Sequence, residues 1–259
     1  MKSLGYEYVG HGFLHNIYEK DGLIYKCLKY ACMDNPFHKF EHERASMDFL
    51  RGRGIPTVRI VDIVDDGILP GVCFLVEEKA EGINYSKTRM PGALREPFFD
   101  YLMKITKIEM PFWGDTKPDG TKKENGWIPF LASYVKGLDG LPEDVKNGHS
   151  EKELLAWMKR NLPADGRPHF MVMDANPENF FWNEKNEICA AIDIDHPVCG
   201  DPLFQMASIL HEWGGLASDY VDSHVSRKER ERVSFYGLLI RFNELLWNRR
   251  LSEGTGMEE

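Results

Sequence analysis

Short strands separated by tight turns dominate the first third of the chain and limit what it can become. Between Tyr6 and about Lys29 the sequence alternates β-rich runs with glycine turns, as YEYVG, HGFLHNIYE, KDG and LIYKCLKY. That is the pattern of roughly three short antiparallel strands. Lys20-Asp21-Gly22 suits a hairpin, because Asp and Gly tolerate positive φ. A helix is predicted next: Asp34-Asn35-Pro36 supplies a cap and a first-turn proline, Phe37, Phe40, Met47 and Leu50 keep helical spacing, and Gly52 and Gly54 end it. VRIVDIV and GVCFLVEE then flank an Asp65-Asp66-Gly67 turn, so a five-stranded sheet with one helix is expected through Glu78.

Beyond Gly82 the pattern becomes helical, over Pro91 to Met110, Ile128 to Lys136, Ser150 to Asn161, Leu203 to Trp213 and Arg227 to Arg250. MVMDANPENFFW, Met171 to Trp182, interrupts it and reads as strand, tight loop, strand; AAIDIDHPVCGDP repeats the pattern soon after. Gly114 to Gly126 is polar and glycine-rich, a surface loop, and SEGTGMEE at the end reads as disordered. A sheet followed by helices is α+β in class, with the division expected between residues 1–80 and 81–259.

A chain of 259 residues, 42% hydrophobic and 28% charged, is long enough for a substantial core and has the composition of a soluble globular protein. A net charge of -9 argues against nucleic-acid binding, which needs a basic face, and is compatible with a cationic small molecule. Cys27, Cys32, Cys73, Cys189 and Cys199 are scattered without a CxxC pair, so neither a disulfide framework nor a zinc site is expected. MKSLGYEYVG lacks the apolar stretch of a signal peptide, and ILPGVCFLV is too short to span a bilayer. A cytoplasmic protein with no membrane partner is expected, as monomer or homodimer.

Several polar groups then stand out. Asp174 and Asn179 lie in the short loop of the first block, where Asp and Asn are turn formers or are aimed at a ligand. Lys26 falls on the same strand face as Ile24 and Leu28; a lysine there either snorkels to solvent or is held by an anion. Glu43, mid-helix, is placed to supply that charge, and Gly10-His11-Gly12-Phe13 forms a turn able to bring backbone N–H groups near phosphate oxygens. Each signal alone is weak. Their order (glycine turn, strand Lys, helix Glu, apolar run into a charged hinge, D-x-x-x-x-N, I-D) is the part order of phosphoryl transfer in kinase-like enzymes.

On these motifs the chain resembles the aminoglycoside phosphotransferase and choline kinase-like small-molecule kinases. GHGFLHNIYEKDGLIYKCLK is similar to their nucleotide loop and lysine strand, FEHERASMDFLRGRGIP to their glutamate helix, and FLVEEKAEG to their hinge. DANPENFFW and AAIDIDHPVCGDP are similar to their catalytic and metal loops. The resemblance implies a bilobal protein-kinase-like fold, with a five-stranded antiparallel sheet lobe binding nucleotide and a mainly helical lobe for catalysis and substrate. It implies transfer of the ATP γ-phosphate, with Mg²⁺, to a hydroxyl of an antibiotic such as an aminoglycoside, an amino sugar, an amino alcohol or a related metabolite. Antibiotic resistance is one such role. Asp174 would be the catalytic base. Gly10, Gly12, Lys26, Glu43, Glu78 and Ala80 would bind nucleotide, and Asn179 and Asp193 would hold the metal, with Asp195 as a secondary ligand or a turn cap.

The chain departs from the family pattern twice. Val172 stands where the family has the His of H-G-D, and Gln205 where G-D-P-x-x-D has its second Asp. Apolar packing by Val172 and Met173 is expected to replace the polar brace. A nucleotide-binding pseudokinase is one alternative, and a D-x-D nucleotide-sugar transferase through Asp193-Ile194-Asp195 is another. His196 reads as a structural hydrogen-bonder, and Trp127 and Phe130 as core or the floor of an acceptor pocket. Trp213, Tyr236 and Trp247 read as helical core, and Glu212, Asp219 and Asp222 as candidate contacts to a cationic acceptor.

Overall fold

The computed structural model describes residues 4–12, 15–28, 36–65, 73–115, 126–163, 166–194 and 197–255. Strands β1 (Glu7–His11), β2 (His15–Lys20) and β3 (Leu23–Leu28) form the expected meander. Lys20 pairs with Leu23, leaving Asp21 (φ 52°) and Gly22 (φ 76°) as the turn. Positive φ at both central positions gives the turn the twist that the flanking strands need. Helix α1 (Pro36–Arg51) follows, then β4 (Ile60–Asp65) and β5 (Cys73–Glu78). The five strands pair in the order β1-β2-β3-β5-β4, all antiparallel. Helix α1 buries Phe40, Glu43, Met47 and Leu50 along one stripe, the i, i+3, i+7, i+10 spacing of a helical face. The Asp34-Asn35 cap and Asp66-Gly67 lie outside the described residues.

The remaining elements are α2 (Gly92–Ile105), β6 (Gly114–Asp115), α3 (Trp127–Ser133), α4 (Glu143–Lys146), α5 (Glu151–Asn161) and β7 (His169–Val172). After them come β8 (Phe180–Trp182), β9 (Ile188–Ala191), β10 (Pro197–Gly200), α6 (Pro202–Trp213), α7 (Ser218–His224) and α8 (Arg227–Thr255). The α+β class and the sheet-then-helices order are as expected. Strand β10 pairs with β6 on one side and β7 on the other, and neither β6 nor β10 has a clear sequence signature: one is two residues long and the other begins with proline. Helix α8 runs through Thr255, so the expected disordered tail is helical over its first four residues; a lone glycine such as Gly254 costs a helix only about 1 kcal/mol.

Compact packing groups the chain into two units. One runs through Met90 and takes in Asn176–Asp195; the other holds Pro91–Lys117, Thr121–Ala175 and His196–Glu259. A cut at residue 80 therefore separates the large sheet from most helices but not the β8–β9 hairpin, which packs with the sheet unit. Backbone bonds explain this. Ile83 and Trp182 exchange two hydrogen bonds of 2.9 Å, and the Val58 N–H donates to the Ala191 carbonyl at 3.1 Å. In the second unit, the α6–α8 packing encloses Phe204, Tyr236, Leu239 and Phe242. Trp127 and Phe130 are core residues there, with the Trp127 indole N–H donating to the Tyr236 hydroxyl at 2.9 Å. Trp213 and Tyr236 are core as expected, but Trp247 is 39% exposed. Periodicity identifies a helix face, not how far along the helix another element covers it. Among the described residues no helix is long and apolar enough to cross a membrane.

Gly82 fastens the β8–β9 hairpin. Its φ is 104°, and a Cβ there would stand 2.6 Å from the Trp182 carbonyl oxygen. Gly82→Ala should combine backbone strain with a backbone clash and destabilise the protein by about 1–3 kcal/mol, read as a lowered midpoint in urea unfolding.

Candidate functional site

In the sheet unit, the sequence-predicted residues converge on Lys26. The lysine lies on β3, the middle strand of the five, and its side chain reaches Glu43 on α1. Its ammonium is 3.0 Å from Glu43 Oε1 and 3.2 Å from Glu77 Oε2, and Asp193 Oδ1 is 4.0 Å away. Lys26 is 3% exposed, Glu43 0% and Glu77 2%. The strand register explains Glu77: Lys26 pairs with Leu75 and Ile24 with Glu77, so Lys26 and Glu77 are diagonal neighbours on one sheet face. Sequence reasoning passed over Glu77, although β5 alternation places it on the face of Leu75.

Burial pushes the Glu43 carboxyl up to about 8, with Lys26 pulling down and Asp193 and Glu77 adding to the rise. Burial likewise raises Glu77, against the opposing pull of Lys26. Burial works to lower the lysine, but Glu43, Glu77 and Asp193 together hold its ammonium well above the ordinary range. The lysine stays charged because several carboxylates share it.

The β8–β9 hairpin carries the remaining acidic and amide groups. The Ile192 N–H donates to the Asn179 carbonyl at 2.9 Å, next to the Phe180–Ala191 pair. Asn179 and Asp193 are thereby one step apart across the ladder. Asp193 adopts φ 57°, a left-handed conformation that Asp tolerates better than most residues. Its buried Oδ1 has no hydrogen-bond partner among the described residues and is turned towards Lys26. These are oxygen donors of the kind a hard divalent ion takes. Among the described residues, no three His, Cys, Asp or Glu side chains cluster to hold a metal by themselves. Asp195 and His196 lie outside the described residues.

Gly10 belongs to β1, beside a bulge at Val9, and the Gly12 N–H donates to the His15 carbonyl at 3.0 Å. A Cβ at either glycine would meet nothing within 4 Å, and neither has positive φ. Contacts among the described residues therefore do not require glycine at these positions. Glu78 closes β5: its N–H donates to the Arg59 carbonyl at 3.0 Å, and its carboxylate pairs with Arg59 at 2.8 Å. Ala80 follows just past the strand end.

In the second unit, Asp174 is exposed between buried Val172 and Ala175. The expected apolar brace is replaced by a polar one. Gln205, on α6, donates its amide N–H to the Val172 carbonyl at 2.8 Å and accepts the Val172 N–H at 2.8 Å. In an antiparallel strand the N–H and C=O of one residue point to the same side. Those of Val172 point away from β10, towards α6, and a carboxamide matches both. A carboxylate accepts only, so an Asp at position 205 would leave the Val172 carbonyl unmatched. Ser208 continues the brace, its hydroxyl donating to the Met173 carbonyl at 2.8 Å, and the Trp213 indole N–H donates to the Ala175 carbonyl at 2.9 Å. Three side chains of α6 thus hold the backbone on both sides of Asp174. Asp201 caps α6 at Leu203 and accepts from Arg232 and Tyr236 at 2.9 Å each, anchoring the helix that carries the brace. Among the acidic groups considered for an acceptor, Asp222 pairs with Arg230 at 2.5 Å.

Comparisons with known proteins agree with this arrangement. A family model described as "Phosphotransferase enzyme family" matches residues 25–236. Among curated proteins, the chain is 24% identical over 176 residues to mouse (Mus musculus) acyl-CoA dehydrogenase family member 10. That match covers 66% of this chain and 16% of the relative, so the chain spans about a sixth of that protein's length. Among solved structures, a thermostable variant of aminoglycoside phosphotransferase APH(4)-Ia, in ternary complex with ADP and hygromycin B, aligns with TM-score 0.71 and 16% identity, over 96% of this chain and 89% of that one. Aminoglycoside phosphotransferase APH(3'')-Id from Streptomyces rimosus aligns with TM-score 0.61 and 18% identity, over 92% and 93% of the two chains. At these identities the likeness establishes a shared fold.

Two outcomes follow from the geometry. Gln205→Leu should orphan two buried backbone groups and destabilise the protein by about 2–4 kcal/mol, measured by denaturant unfolding. The stability of the unliganded chain should also carry a component that falls with rising pH. Glu43 moves from an ordinary value of 4.5 to about 8 on folding, so the folded state binds the extra proton between those values and loses that advantage as pH rises. Unfolding free energies compared between pH 5 and pH 8 should show this slope flattened in Glu43→Gln.

Proposed function

The chain belongs to the phosphotransferase enzyme family, and from that premise we propose that it transfers the γ-phosphoryl group of ATP, with Mg²⁺, to a hydroxyl of a small molecule. The observation that carries this reading is the buried Lys26–Glu43 pair, 3.0 Å apart, with the unsatisfied Asp193 Oδ1 at 4.0 Å. A buried ammonium facing a carboxylate oxygen that takes part in no hydrogen bond among the described residues is suited to a polyphosphate with its counter-ion. Burying such charges costs several kcal/mol per ion, a burden that a purely structural position has no reason to carry.

In this reading Lys26 neutralises charge on the α- and β-phosphates and Glu43 keeps its side chain oriented. The end of β1 from Gly10 to Gly12 would lie against the phosphates, where no described atom stands within 4 Å of a Cβ at either glycine. Because the Glu78 N–H is already used by Arg59, adenine would be met by the Glu78 carbonyl and the Ala80 amide. Asn179 and Asp193 would hold Mg²⁺ as oxygen ligands, and Asp195 keeps the secondary role its D-x-D spacing suggests. The ion supplies neutralisation of the charge that develops on the transferring group.

Asp174, five residues before Asn179, accepts the proton of the attacking hydroxyl. The new bond joins the acceptor oxygen to the γ-phosphorus, the bond from phosphorus to the β-bridging oxygen breaks, and ADP leaves with that electron pair. The proton passes from Asp174 to solvent. The brace on Val172, Met173 and Ala175 supports this assignment, because a general base acts only if its backbone is held.

Hygromycin B appears with ADP in one structural neighbour and streptomycin with ADP in another. Both are polyhydroxylated cations, which suits a chain of net charge -9. The acceptor is proposed at the level of that class, together with amino sugars and amino alcohols.

The deciding experiment is a panel of such acceptors with γ-labelled ATP and intact-mass detection of the phosphorylated product. Nucleotide binding without turnover on any acceptor would favour a non-catalytic nucleotide-binding protein. Asp174→Asn should lower kcat by about 10²–10⁴-fold while calorimetric affinity for Mg·ATP stays within about twofold. Undiminished turnover would remove Asp174 as the base.

A further inference from the structure

Glu77 belongs to none of the roles above, yet it is as buried as the lysine it touches. Its carboxylate lies 3.2 Å from the Lys26 ammonium, on the side of the sheet, while Glu43 approaches at 3.0 Å from α1. Lys26 therefore has two close carboxylates and a third, Asp193, at 4.0 Å. Glu43 alone would satisfy a structural ion pair. A second fully buried carboxylate adds desolvation cost without adding a partner charge, and an apolar side chain on this strand would pack at no such cost, as its neighbour Leu75 does.

We propose that Glu77 is a positioning residue that holds the Lys26 ammonium against the sheet in competition with the nucleotide phosphates, and so sets nucleotide affinity according to phosphate charge. This rests on the nucleotide reading given above. A phosphate reaching Lys26 must displace the Glu77 carboxylate or lie beside it, and both oppose binding. The opposition acts through a buried charge, so it grows with the charge on the ligand and vanishes for a neutral nucleoside. Glu77 is also joined through Glu78 to Ala80 along one strand end, so the same strand that meets the base carries the charge that tempers the phosphates. Glu43, which approaches the same ammonium from α1 at 3.0 Å, keeps the orienting role given to it above.

The test is calorimetric titration of the full chain with adenosine, Mg·ADP and Mg·ATP, in wild type, Glu77→Gln and Glu77→Leu. Both variants should bind Mg·ATP about tenfold tighter and Mg·ADP tighter by a smaller factor, with adenosine unchanged. Wherever turnover is measured, KM for ATP should fall while KM for the acceptor holds. Glu43→Gln should weaken Mg·ATP instead. Unchanged or weaker Mg·ATP binding in the Glu77 variants, or an equal gain for adenosine, overturns the proposal. So does failure of both variants to fold, which would make Glu77 a structural counter-ion. If wild type binds none of the three ligands, the nucleotide reading itself fails, an outcome distinct from binding that Glu77 does not grade by charge.

Discussion

The Lys26 ammonium, buried on the middle strand of the sheet, is the constraint that organises the first unit. An unpaired charge in that position would cost several kcal/mol, so every element that can reach it must be held in register. Glu43 fixes the rotation of α1, because it sits in the same buried stripe as Phe40, Met47 and Leu50. Glu77 fixes the pairing of β3 with β5, since a slip of one residue would turn it to the other face. Asp193 ties in the β8–β9 hairpin, which reaches the sheet unit through Gly82, Ile83 and Val58. The packing of this unit and the electrostatics of its candidate site are thus one problem with one solution.

The second unit solves a different problem, holding an exposed carboxylate on a short loop. Helix α6 does this with backbone-directed hydrogen bonds from Gln205, Ser208 and Trp213. These bonds fix the main chain on both sides of Asp174, which is exposed. The two departures from the expected pattern become one physical change: Val172 has no hydrogen-bonding side chain, and Gln205 has both the donor and the acceptor its backbone needs.

Legibility in the sequence followed the range of the interaction. Local turn chemistry was readable, as at Asp21-Gly22, and so was the α1 stripe. Lys26 and Glu43 were readable as a pair, because strand and helix periodicity each put them on a buried face. Glu77 was missed although the same alternation marks it, since an acidic pair at a strand end reads as a solvated edge. The apolar brace expected from Val172 and Met173 was wrong because the partner lies 33 positions along the chain, at Gln205. Strand β6 exists only through its pairing with β10, and β10 through its pairing with β7, so neither carries a pattern of its own.

From its sequence alone the chain determines its α+β class, the order of its elements, its membership pattern and the selection of Lys26, Glu43, Asp174, Asn179 and Asp193 as candidate groups. Those depend on periodicity and on residue type, which are properties of short segments. Only the tertiary structure decided that Lys26 is shared among three carboxylates, that the β8–β9 hairpin packs with the sheet, and that a carboxamide on α6 holds the loop of Asp174. Each of these joins residues distant in the chain, and the pairing of a buried charge or a buried backbone group is settled by whichever partner the fold brings within about 3 Å.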